Sequence, residues 1–373
     1  MICFMPDRSH RSGKFFFSFE YSDIVLSSDR LNIKENAPLA PMTTLKVGGA
    51  ARFFVCAGSA EAVAEACEYA RARRLDIFFL GGGSNIVVAD SGFPGLVVQI
   101  ATKGIDREGD MVTAQAGETW DDLVSFCVEH NLAGVECLSG IPGLVGGTPI
   151  QNVGAYGQDV SETIASVRCL DRTDGRVKDL ANNECGFTYR TSIFNSTVRG
   201  RYVVLAVTFA LKAGGRPKIT YKDLQESFRG HEPTLAETRN AVIAIRRSKS
   251  MVIDPADPNS RSVGSFFKNP IVDPALFDKI AAMPGSGQVP HFDAGPAKVK
   301  IPAAWLIEKA GFYKGYARGN AGISTNHSLA IVNRGGATAA EIIDLKDEIT
   351  AGVEAKFGIT LVPEPIFIGF EDL

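Results

Sequence analysis

The sequence predicts an α+β fold with two main domains, and three observations support this prediction. From Leu45 onward, short apolar segments of strand character are interspersed with amphipathic helical segments. Residues 166–211 are rich in strand patterns, whereas the chain beyond Gly214 is richer in helical ones. With 373 residues, of which 45% are hydrophobic, the chain can bury at least one sizeable core.

The first region opens with a predicted β-α-β unit. Residues 51–55 and 77–80 carry the apolar patterns of strands. The helix between them is predicted to begin near Ser59, because apolar residues then recur at helical spacing. The residues predicted to face inward from this helix are Val63, Ala66, Cys67 and Ala70.

Further strands, one helix and a hairpin are predicted after this unit. Residues 119–122 resemble a capping box, which predicts a helix through His130. Asp174 and Gly175 lie between two apolar segments and predict a hairpin turn. The remaining strands are predicted at residues 86–88, 96–100, 111–114 and 202–211.

A domain boundary is predicted at Gly214, Gly215 and Pro217, which interrupt the chain after a long strand. The last helix has the clearest pattern: Thr338 and Glu341 form a capping box, and Gly358 supplies the stop. Its buried face is predicted to contain Ile342, Leu345, Ile349 and Val353. The predicted segments are an N-terminal extension without periodicity at 1–36, two domains at 37–213 and 214–362, and a C-terminal strand at 363–373.

Composition and charge argue against several classes of protein. The formal net charge is -3 with both signs interspersed, which disfavours nucleic-acid binding. No apolar run approaches the roughly 20 residues of a membrane-spanning helix, and the N-terminus lacks an export signal. The seven cysteines are scattered without CxxC spacing, so we expect buried thiols in a reducing cytoplasm and no metal site. Nothing in the sequence predicts an obligate protein partner.

Two glycine-rich motifs are candidates for cofactor binding. The first follows a predicted strand, and its small residues let backbone amides approach a phosphate, although such runs are more often simple turns. The second, at residues 140–157, is too apolar for a flexible linker and suits a planar cofactor, or a tightly packed crossing of loops. The first motif consists of Gly81, Gly82, Gly83, Ser84 and Asn85.

Three further residues are candidates for catalysis. Arg190 lies between aromatic residues and suits a carboxylate or a developing enolate, although a solitary arginine is usually surface charge. Ser265 lies on a glycine-containing turn and could donate a proton to a carbanion, whereas no GxSxG motif supports a hydrolase triad. Glu364 lies between two prolines, which suggests a carboxylate held in place, or else a surface glutamate at the start of a strand.

In this order, the motifs resemble those of the UDP-N-acetylenolpyruvoylglucosamine reductase (MurB) family, over roughly residues 39–369. The resemblance implies a vanillyl-alcohol-oxidase/PCMH-type FAD-binding domain of two α+β subdomains, at 37–213. It also implies a C-terminal α+β substrate-binding domain at 214–362 and a last strand that returns to the active site. The implied FAD contacts are residues 81–85 together with Ile141, Gly147, Gly154 and Ala155.

The same resemblance implies the reaction and the roles of three residues. NADPH would reduce the bound FAD and leave, and the enolpyruvyl ether of a UDP-linked amino sugar would then be reduced to UDP-N-acetylmuramate in the same site. Arg190 and Glu364 match the pair that stabilises the developing negative charge, and Ser265 matches the proton donor. This would be a step in the synthesis of peptidoglycan precursors for the cell wall.

Substrate contacts are implied in the same way. Tyr221 matches the tyrosine of a lid that closes over the substrate in one type of this family, and Lys249 and Asn269 match further substrate-binding positions. Without the resemblance, Lys249 would suit a solvated helix end. The chain departs from some members at Phe292, where they carry a tyrosine, and at Ile366, where they carry an arginine.

Two alternatives compete with this interpretation. One is an oxidase with the same type of FAD-binding domain, which would pass electrons to oxygen. Such enzymes often attach FAD through His or Cys, and none of the five histidines falls in the glycine motifs. The other alternative is a non-catalytic nucleotide-binding module, which the presence of Arg190, Ser265 and Glu364 disfavours.

Overall fold

The structure is a computed structural model and describes residues 31–370. In the first half of the chain, strands outnumber helices, as the apolar patterns predict. The elements up to residue 213 are β1 (Lys34–Pro38), β2 (Ala50–Ala57), α1 (Ala60–Ala72), β3 (Ile77–Leu80), β4 (Ile86–Val88), β5 (Phe93–Ile100), β6 (Ile105–Glu108), β7 (Met111–Gln115), α2 (Trp120–Glu129), β8 (Leu132–Ala133), β9 (Gly154–Ala155), β10 (Gln158–Asp159), β11 (Ile164–Asp171), β12 (Val177–Ala181), β13 (Tyr202–Ala210) and β14 (Lys212–Ala213).

Beyond residue 213 the strands are short and most of the regular structure is helical. The elements are α3 (Lys222–Ser227), α4 (Leu235–Ser248), β15 (Ile271–Val272), α5 (Pro274–Ala281), β16 (Phe292–Asp293), β17 (Val299–Lys300), α6 (Ala303–Lys309), β18 (Ala317–Arg318), β19 (Ala321–Ile323), β20 (Ile331–Asn333), α7 (Ala339–Phe357) and β21 (Ile366–Ile368).

The predicted β-α-β unit is confirmed. Strands β2 and β3 both pair in parallel with β5, and β1 closes the sheet by pairing antiparallel with β2. Helix α1 begins where predicted, because the Ser59 hydroxyl accepts a hydrogen bond from the N–H of Ala62 at 3.2 Å. Its buried face contains Val63, Ala66 and Ala70 as predicted, and also Tyr69, whereas Cys67 is only half-buried.

A second sheet provides most of the remaining core of the first region. It is antiparallel, with the strand order β12-β11-β13-β7-β6. The turn between β11 and β12 contains Asp174 and Gly175, and Gly175 has a φ of 69°, so this predicted hairpin is also confirmed. Trp120 and Leu123 of α2 are buried in the cluster that this sheet forms with α1.

Two local predictions need correction. Strand β1 begins at Lys34, so residues 34–36 belong to the sheet and not to the predicted extension; its polar, mostly exposed side chains conceal this edge strand in the sequence. Residues 1–30 lie outside the described residues. Thr119 does precede α2, but its side chain makes no capping hydrogen bond. Instead, the N–H of Trp120 donates to the carbonyl of Gly143 at 3.0 Å, so a distant loop partly satisfies this helix end.

The region beyond residue 213 has its own apolar cluster around α6 and α7. The capping box of α7 is confirmed: Thr338 and Glu341 exchange hydrogen bonds of 2.9 and 3.1 Å, and Gly358 ends the helix with a φ of 67°. All four residues predicted for the buried face of α7 are buried. Leu45, Val47 and Val87 also join this cluster, and the boundary near residue 214 stays a prediction.

The last strand brings the end of the chain back to the first glycine loop. Strand β21 pairs in parallel with β4, with Ile366 opposite Ile86. The N–H of Ile366 donates to the carbonyl of Asn85 at 3.0 Å. Residues near 364 and residues 81–85 therefore lie side by side, although almost 280 positions separate them in the sequence.

The cysteines and the helices add two findings about residues 31–370. All six cysteines in this range are free; four are buried, Cys67 is half-buried, and Cys56 is exposed, contrary to the expectation of buried thiols. None of the helices in the same range is long and apolar enough to cross a membrane.

Candidate active site

The predicted site residues of both regions line one cavity of about 1110 Å³. Both glycine motifs contribute to its wall, together with the C-terminal segment and residues beyond 213. The predicted residues that line it are Gly81, Gly82, Gly83, Ser84, Asn85, Ile141, Gly147, Gly154, Ala155, Arg190, Tyr221, Lys249, Ser265, Asn269 and Glu364. Folding therefore brings together every residue that the sequence singles out for binding or catalysis.

The two glycine motifs contact each other directly. A Cβ atom on Gly82 would lie 2.8 Å from the Cα of Gly143, so this approach requires glycine. The hydroxyl of Ser84 donates to the carbonyl of Pro142 at 3.1 Å and joins the two loops. The loops thus form one continuous wall.

The backbone of the first motif offers unused donors. Within residues 31–370, the N–H groups of Gly82, Gly83 and Ser84 make no hydrogen bond. The side chains of this loop behave differently from the prediction: Ser84 donates to Pro142, and the amide of Asn85 donates to the carbonyl of Glu364 at 3.2 Å. Backbone amides are therefore the groups that can receive a phosphate here.

The second motif has one glycine that packs against protein and one that faces open space. A Cβ on Gly146 would lie 2.6 Å from the Cβ of Ala116, whereas a Cβ on Gly147 would meet nothing within 4 Å. Gly81 is open in the same way. A bare backbone beside a large cavity fits a planar group resting against this wall, so the residues present are compatible with a bound flavin.

Arg190 projects from a backbone in the left-handed region, with a φ of 54°. Its Nη2 donates to the carbonyl of Gly154 at 2.6 Å, which fixes the guanidinium against the second glycine motif. Its Nε lies 3.0 Å from Oε1 of Glu364, but the N–H is not aligned with a hydrogen-bond acceptor among the described residues. The guanidinium of Arg190 is thus fixed between Gly154 and Glu364 at the wall of the cavity.

Glu364 is fixed through its backbone as well as by the two flanking prolines. Its N–H donates to the carbonyl of Phe266 at 2.9 Å. Its carbonyl accepts hydrogen bonds from the side chains of Asn85 and Gln151, each at 3.2 Å. Burial raises the pKa of the Glu364 carboxyl, and the opposing effects of Arg190 and Lys268 do not cancel it. The acid is a positioned group, not a surface glutamate.

Ser265 lies on a turn that backbone hydrogen bonds hold in place. Gly264 has a φ of 78°, and the N–H of Phe266 donates to the carbonyl of Leu329 at 2.8 Å. Further along, the N–H of Lys268 donates to Val362 at 2.9 Å. The Ser265 hydroxyl has no hydrogen-bond partner in the described part of the chain, and it lines the cavity, so it is free to serve a ligand.

Tyr221 and Lys249 also line the cavity. The ring of Tyr221 meets that of Tyr156 edge-on, with centroids 5.2 Å apart. Nζ of Lys249 donates to Asp223 of α3 at 3.1 Å. Burial tends to lower the pKa of Lys249, but the hydrogen bond to Asp223 and the nearby tyrosines outweigh it, so its pKa is raised. Lys249 is charged at neutral pH and can attract a diphosphate.

Asn269 has a supporting role in addition to lining the cavity. Its Oδ1 accepts a hydrogen bond from the N–H of Ala303 at 2.9 Å, which caps α6. Asn269 also opposes the rise in the pKa of Tyr189 that burial causes. Its side-chain oxygen is therefore engaged within the protein.

Three titratable residues of the cavity wall, Arg246, Lys300 and His327, were not predicted as site residues. Arg246 is buried and donates to the carbonyls of Gly140 and Met251 at 3.1 and 2.7 Å. Lys300 and His327 also line the cavity. Lys300 lies between two apolar residues and His327 within a short polar segment, and neither pattern is specific for a site. The departures Phe292 and Ile366 line the cavity too.

We expect His327 to make the stability of the protein depend on pH. Burial, followed by the charges of Lys249, Lys314 and Arg246, lowers its pKa from 6.5 to about 4. A histidine with a lowered pKa in the folded state contributes stability that is lost as the pH falls from 6.5 towards 4. We expect this loss to be on the order of 3 to 4 kcal/mol, since one pKa unit corresponds to about 1.4 kcal/mol.

Urea unfolding of the wild type and of His327→Asn at pH values across this window checks the expectation. The variant should show a smaller loss of unfolding free energy on acidification. An identical pH dependence for the two proteins would show that His327 titrates normally.

Two parts of the chain match known protein families. Residues 51–181 match the FAD binding domain family, and residues 255–368 match the C-terminal domain of UDP-N-acetylenolpyruvoylglucosamine reductase. These matches and the observed elements confirm the predicted α+β fold class, with an FAD-binding domain followed by a C-terminal domain.

Whole-chain relatives extend this likeness. The chain is 49% identical over 350 residues to a UDP-N-acetylenolpyruvoylglucosamine reductase of Thermobifida fusca, covering 90% of this chain and 97% of the relative. It is 44% identical over 363 residues to the protein of the same name from Mycobacterium avium, covering 91% and 96%. The crystal structure of the reductase from Thermus caldophilus superimposes with a TM-score of 0.63 at 25% identity, over 91% of this chain and 99% of that one.

Proposed function

Because the chain belongs to the UDP-N-acetylenolpyruvoylglucosamine reductase family, we propose that Arg190, Glu364 and Ser265 are its catalytic residues. The chain is an FAD-dependent oxidoreductase, a UDP-N-acetylmuramate dehydrogenase of peptidoglycan precursor synthesis. We further propose that NADPH is the electron donor. The observation that carries the residue assignment is the Arg190–Glu364 pair, which lies beside the glycine motifs in one cavity.

The FAD contacts follow from the two glycine motifs. The free N–H groups of residues 82–84 suit the diphosphate, and the open face at Gly147 suits the flavin ring. Ile141, Gly154 and Ala155 line the same part of the cavity. When bound, FAD supplies hydride exchange between the nicotinamide and the terminal carbon of the enolpyruvyl group.

Arg190 and Glu364 act on the carboxylate of the enolpyruvyl group. Addition of hydride to the terminal carbon moves negative charge towards this carboxylate. Arg190, already fixed by Gly154 at the cavity wall, supplies a positive charge for that carboxylate without reorganisation. Glu364, which burial and the Arg190 ion pair hold at the same place, keeps the guanidinium oriented for this role.

Ser265 supplies the proton that completes the reaction. Its hydroxyl is free among the described residues, and the pinned turn at Gly264 and Phe266 holds it at the cavity wall. Transfer of this proton to the carbon next to the carboxylate gives the lactyl ether. The serine is then reprotonated from solvent.

Lys249, Tyr221 and Asn269 bind the UDP part of the substrate in this proposal. Lys249 lies near Arg246, whose charge contributes, together with that of Lys249, to the lowered pKa of His327. This concentration of positive charge suits a diphosphate. NADPH also carries a diphosphate, and it would use the same cavity before the sugar nucleotide enters.

The electron donor and the product can be tested together. The purified holoenzyme is incubated with the enolpyruvyl sugar nucleotide and either NADPH or NADH, and the products are identified by mass spectrometry. NADPH should give the saturated lactyl ether. Oxidation of NADPH without this product would contradict the proposed function.

The Gly147 position tests the placement of the flavin. Gly147→Ala adds a methyl group to the open face of the cavity, so FAD binding should weaken by about tenfold or more while the fold is retained. Gly146→Ala is the matched comparison, because its methyl group would collide with Ala116 and destabilise the fold itself. Thermal unfolding of the apoproteins and FAD titration separate the two effects. Normal FAD affinity in Gly147→Ala would place the flavin elsewhere.

We also propose the cytoplasm as the location of the protein and small molecules as its binding partners. The six described cysteines are all free, which suits a reducing compartment. UDP-linked sugars and NADPH are the small molecules concerned.

A further inference from the structure

Lys300 is a cation in the cavity wall that the catalytic proposal does not use. It belongs to β17, the central strand of a small sheet in which it lies opposite Ile271 and Phe292. Its Nζ lies 4.8 Å from the ring centre of Tyr189 and 5.6 Å from that of Phe292. The two rings hold the ammonium group by cation–π attraction at the cavity.

This ammonium group lacks a negative partner. Within residues 31–370, no carboxylate lies within ion-pair distance of Lys300, and its Nζ donates no hydrogen bond. Burial lowers the pKa of Lys300, and the charge of Arg190 lowers it further. A half-buried cation beside another cation is unfavourable unless an anion binds between or near them.

Lys300 and Arg190 both lie close to the ring of Tyr189. The guanidinium carbon of Arg190 lies 5.6 Å from the centre of the Tyr189 ring, the same ring that Lys300 approaches. Both cations line the same cavity, and the charge of Arg190 acts on Lys300. A single anionic group bound beside this ring would therefore lie near both of them.

We propose that Lys300 is a second cation for the carboxylate of the sugar nucleotide and selects ligands that carry it. This inference rests on the proposed function, which assigns Arg190 to that carboxylate. The diphosphate is a less suitable partner, because Lys249, Arg246 and Lys314 already gather around His327. Phe292 has no hydroxyl group to accept a hydrogen bond from Lys300, so the ammonium donors stay available to the ligand.

The test compares two ligands that differ in the carboxylate. UDP-N-acetylmuramate carries a lactyl carboxylate, whereas UDP-N-acetylglucosamine has the same UDP-sugar without it. Their dissociation constants for the oxidised holoenzyme are measured by calorimetry for the wild type, Lys300→Met and Lys298→Met. Lys298 is the matched control, since it is two residues away, exposed, and paired with Asp273 at 2.6 Å.

In Lys300→Met, we expect binding of UDP-N-acetylmuramate to weaken about tenfold or more, and binding of UDP-N-acetylglucosamine to change by less than about twofold. Lys298→Met should leave both constants unchanged. Lys300→Arg, which keeps the charge and can also stack on the two rings, should retain most of the affinity for the carboxylate ligand.

Two results would overturn the inference. An equal loss for both ligands would assign Lys300 to the UDP part or to the fold, and unchanged binding of both would remove it from the site. If Lys300→Met fails to fold, loss of carboxylate selectivity in a folded Lys300→Gln variant decides the question in the same way. The proposed function fails separately, through absence of NADPH-dependent product formation by the wild type.

Discussion

Ser265→Ala is expected to slow the reaction of the NADPH-reduced holoenzyme with the enolpyruvyl sugar nucleotide by roughly 10²–10⁴-fold, the range typical of a lost general acid. Reduction of the bound FAD by NADPH should be nearly unchanged. The hydroxyl lines the cavity without a protein partner in residues 31–370, so its removal leaves no buried group unsatisfied. The effect should therefore be confined to the step that needs its proton.

Stopped-flow absorbance, with each half of the reaction followed separately under anaerobic conditions, measures this difference. Ser248→Ala is the control, because Ser248 lies at the exposed end of α4 and its hydroxyl donates only to Ile245. Equal slowing of both halves in Ser265→Ala would mean that the serine positions the cofactor and is not the proton donor.

Arg190→Lys is expected to slow the same half of the reaction by about 10²–10³-fold, as for loss of one donor to a developing oxyanion. The charge is kept, but lysine cannot contact Gly154 and Glu364 at once while presenting a further donor to the substrate. Rapid mixing of the reduced variant with substrate gives the rate. Binding of the sugar nucleotide should weaken far less than the rate falls.

Arg168→Lys serves as the control for this substitution. Arg168 makes a two-pronged hydrogen bond to Asp179, but on the exposed surface of β11, away from the cavity. It should react at the wild-type rate. An Arg190→Lys protein with a wild-type rate would show that the fork geometry of Arg190 is not needed and that a point charge suffices.

Much of the fold follows from local sequence patterns. Apolar runs bounded by glycine or polar residues predict β2, β3, β5 and β13, and the capping box of Thr338 predicts the start of α7. The predictions of the α2 cap and of the start of β1 were wrong, because contacts with distant segments determine the structure there. The helix start at Trp120 is satisfied by Gly143, and the polar edge strand at Lys34 gains its structure only by pairing with β2.

Some residues of the candidate site could likewise be predicted from local sequence, and others could not. The glycine motifs and Glu364 could be singled out because their backbone constraints are visible in the sequence. Lys300 and His327 could not, because their environment is created by residues from other segments, such as Tyr189 for the lysine and Lys249 for the histidine. Likewise, the use of Ser84 to join the two loops depends on Pro142, 58 positions away.

The visible absorption spectrum of the purified protein during two anaerobic additions tests whether the protein is an FAD-dependent reductase of this sugar nucleotide. We expect a yellow protein that bleaches with NADPH and recovers its colour when the enolpyruvyl sugar nucleotide is added. Recovery only when oxygen is admitted would instead indicate an oxidase. A colourless protein that cannot be reconstituted with FAD would contradict the cofactor assignment, and with it the roles given to the glycine motifs, Arg190, Ser265 and Glu364.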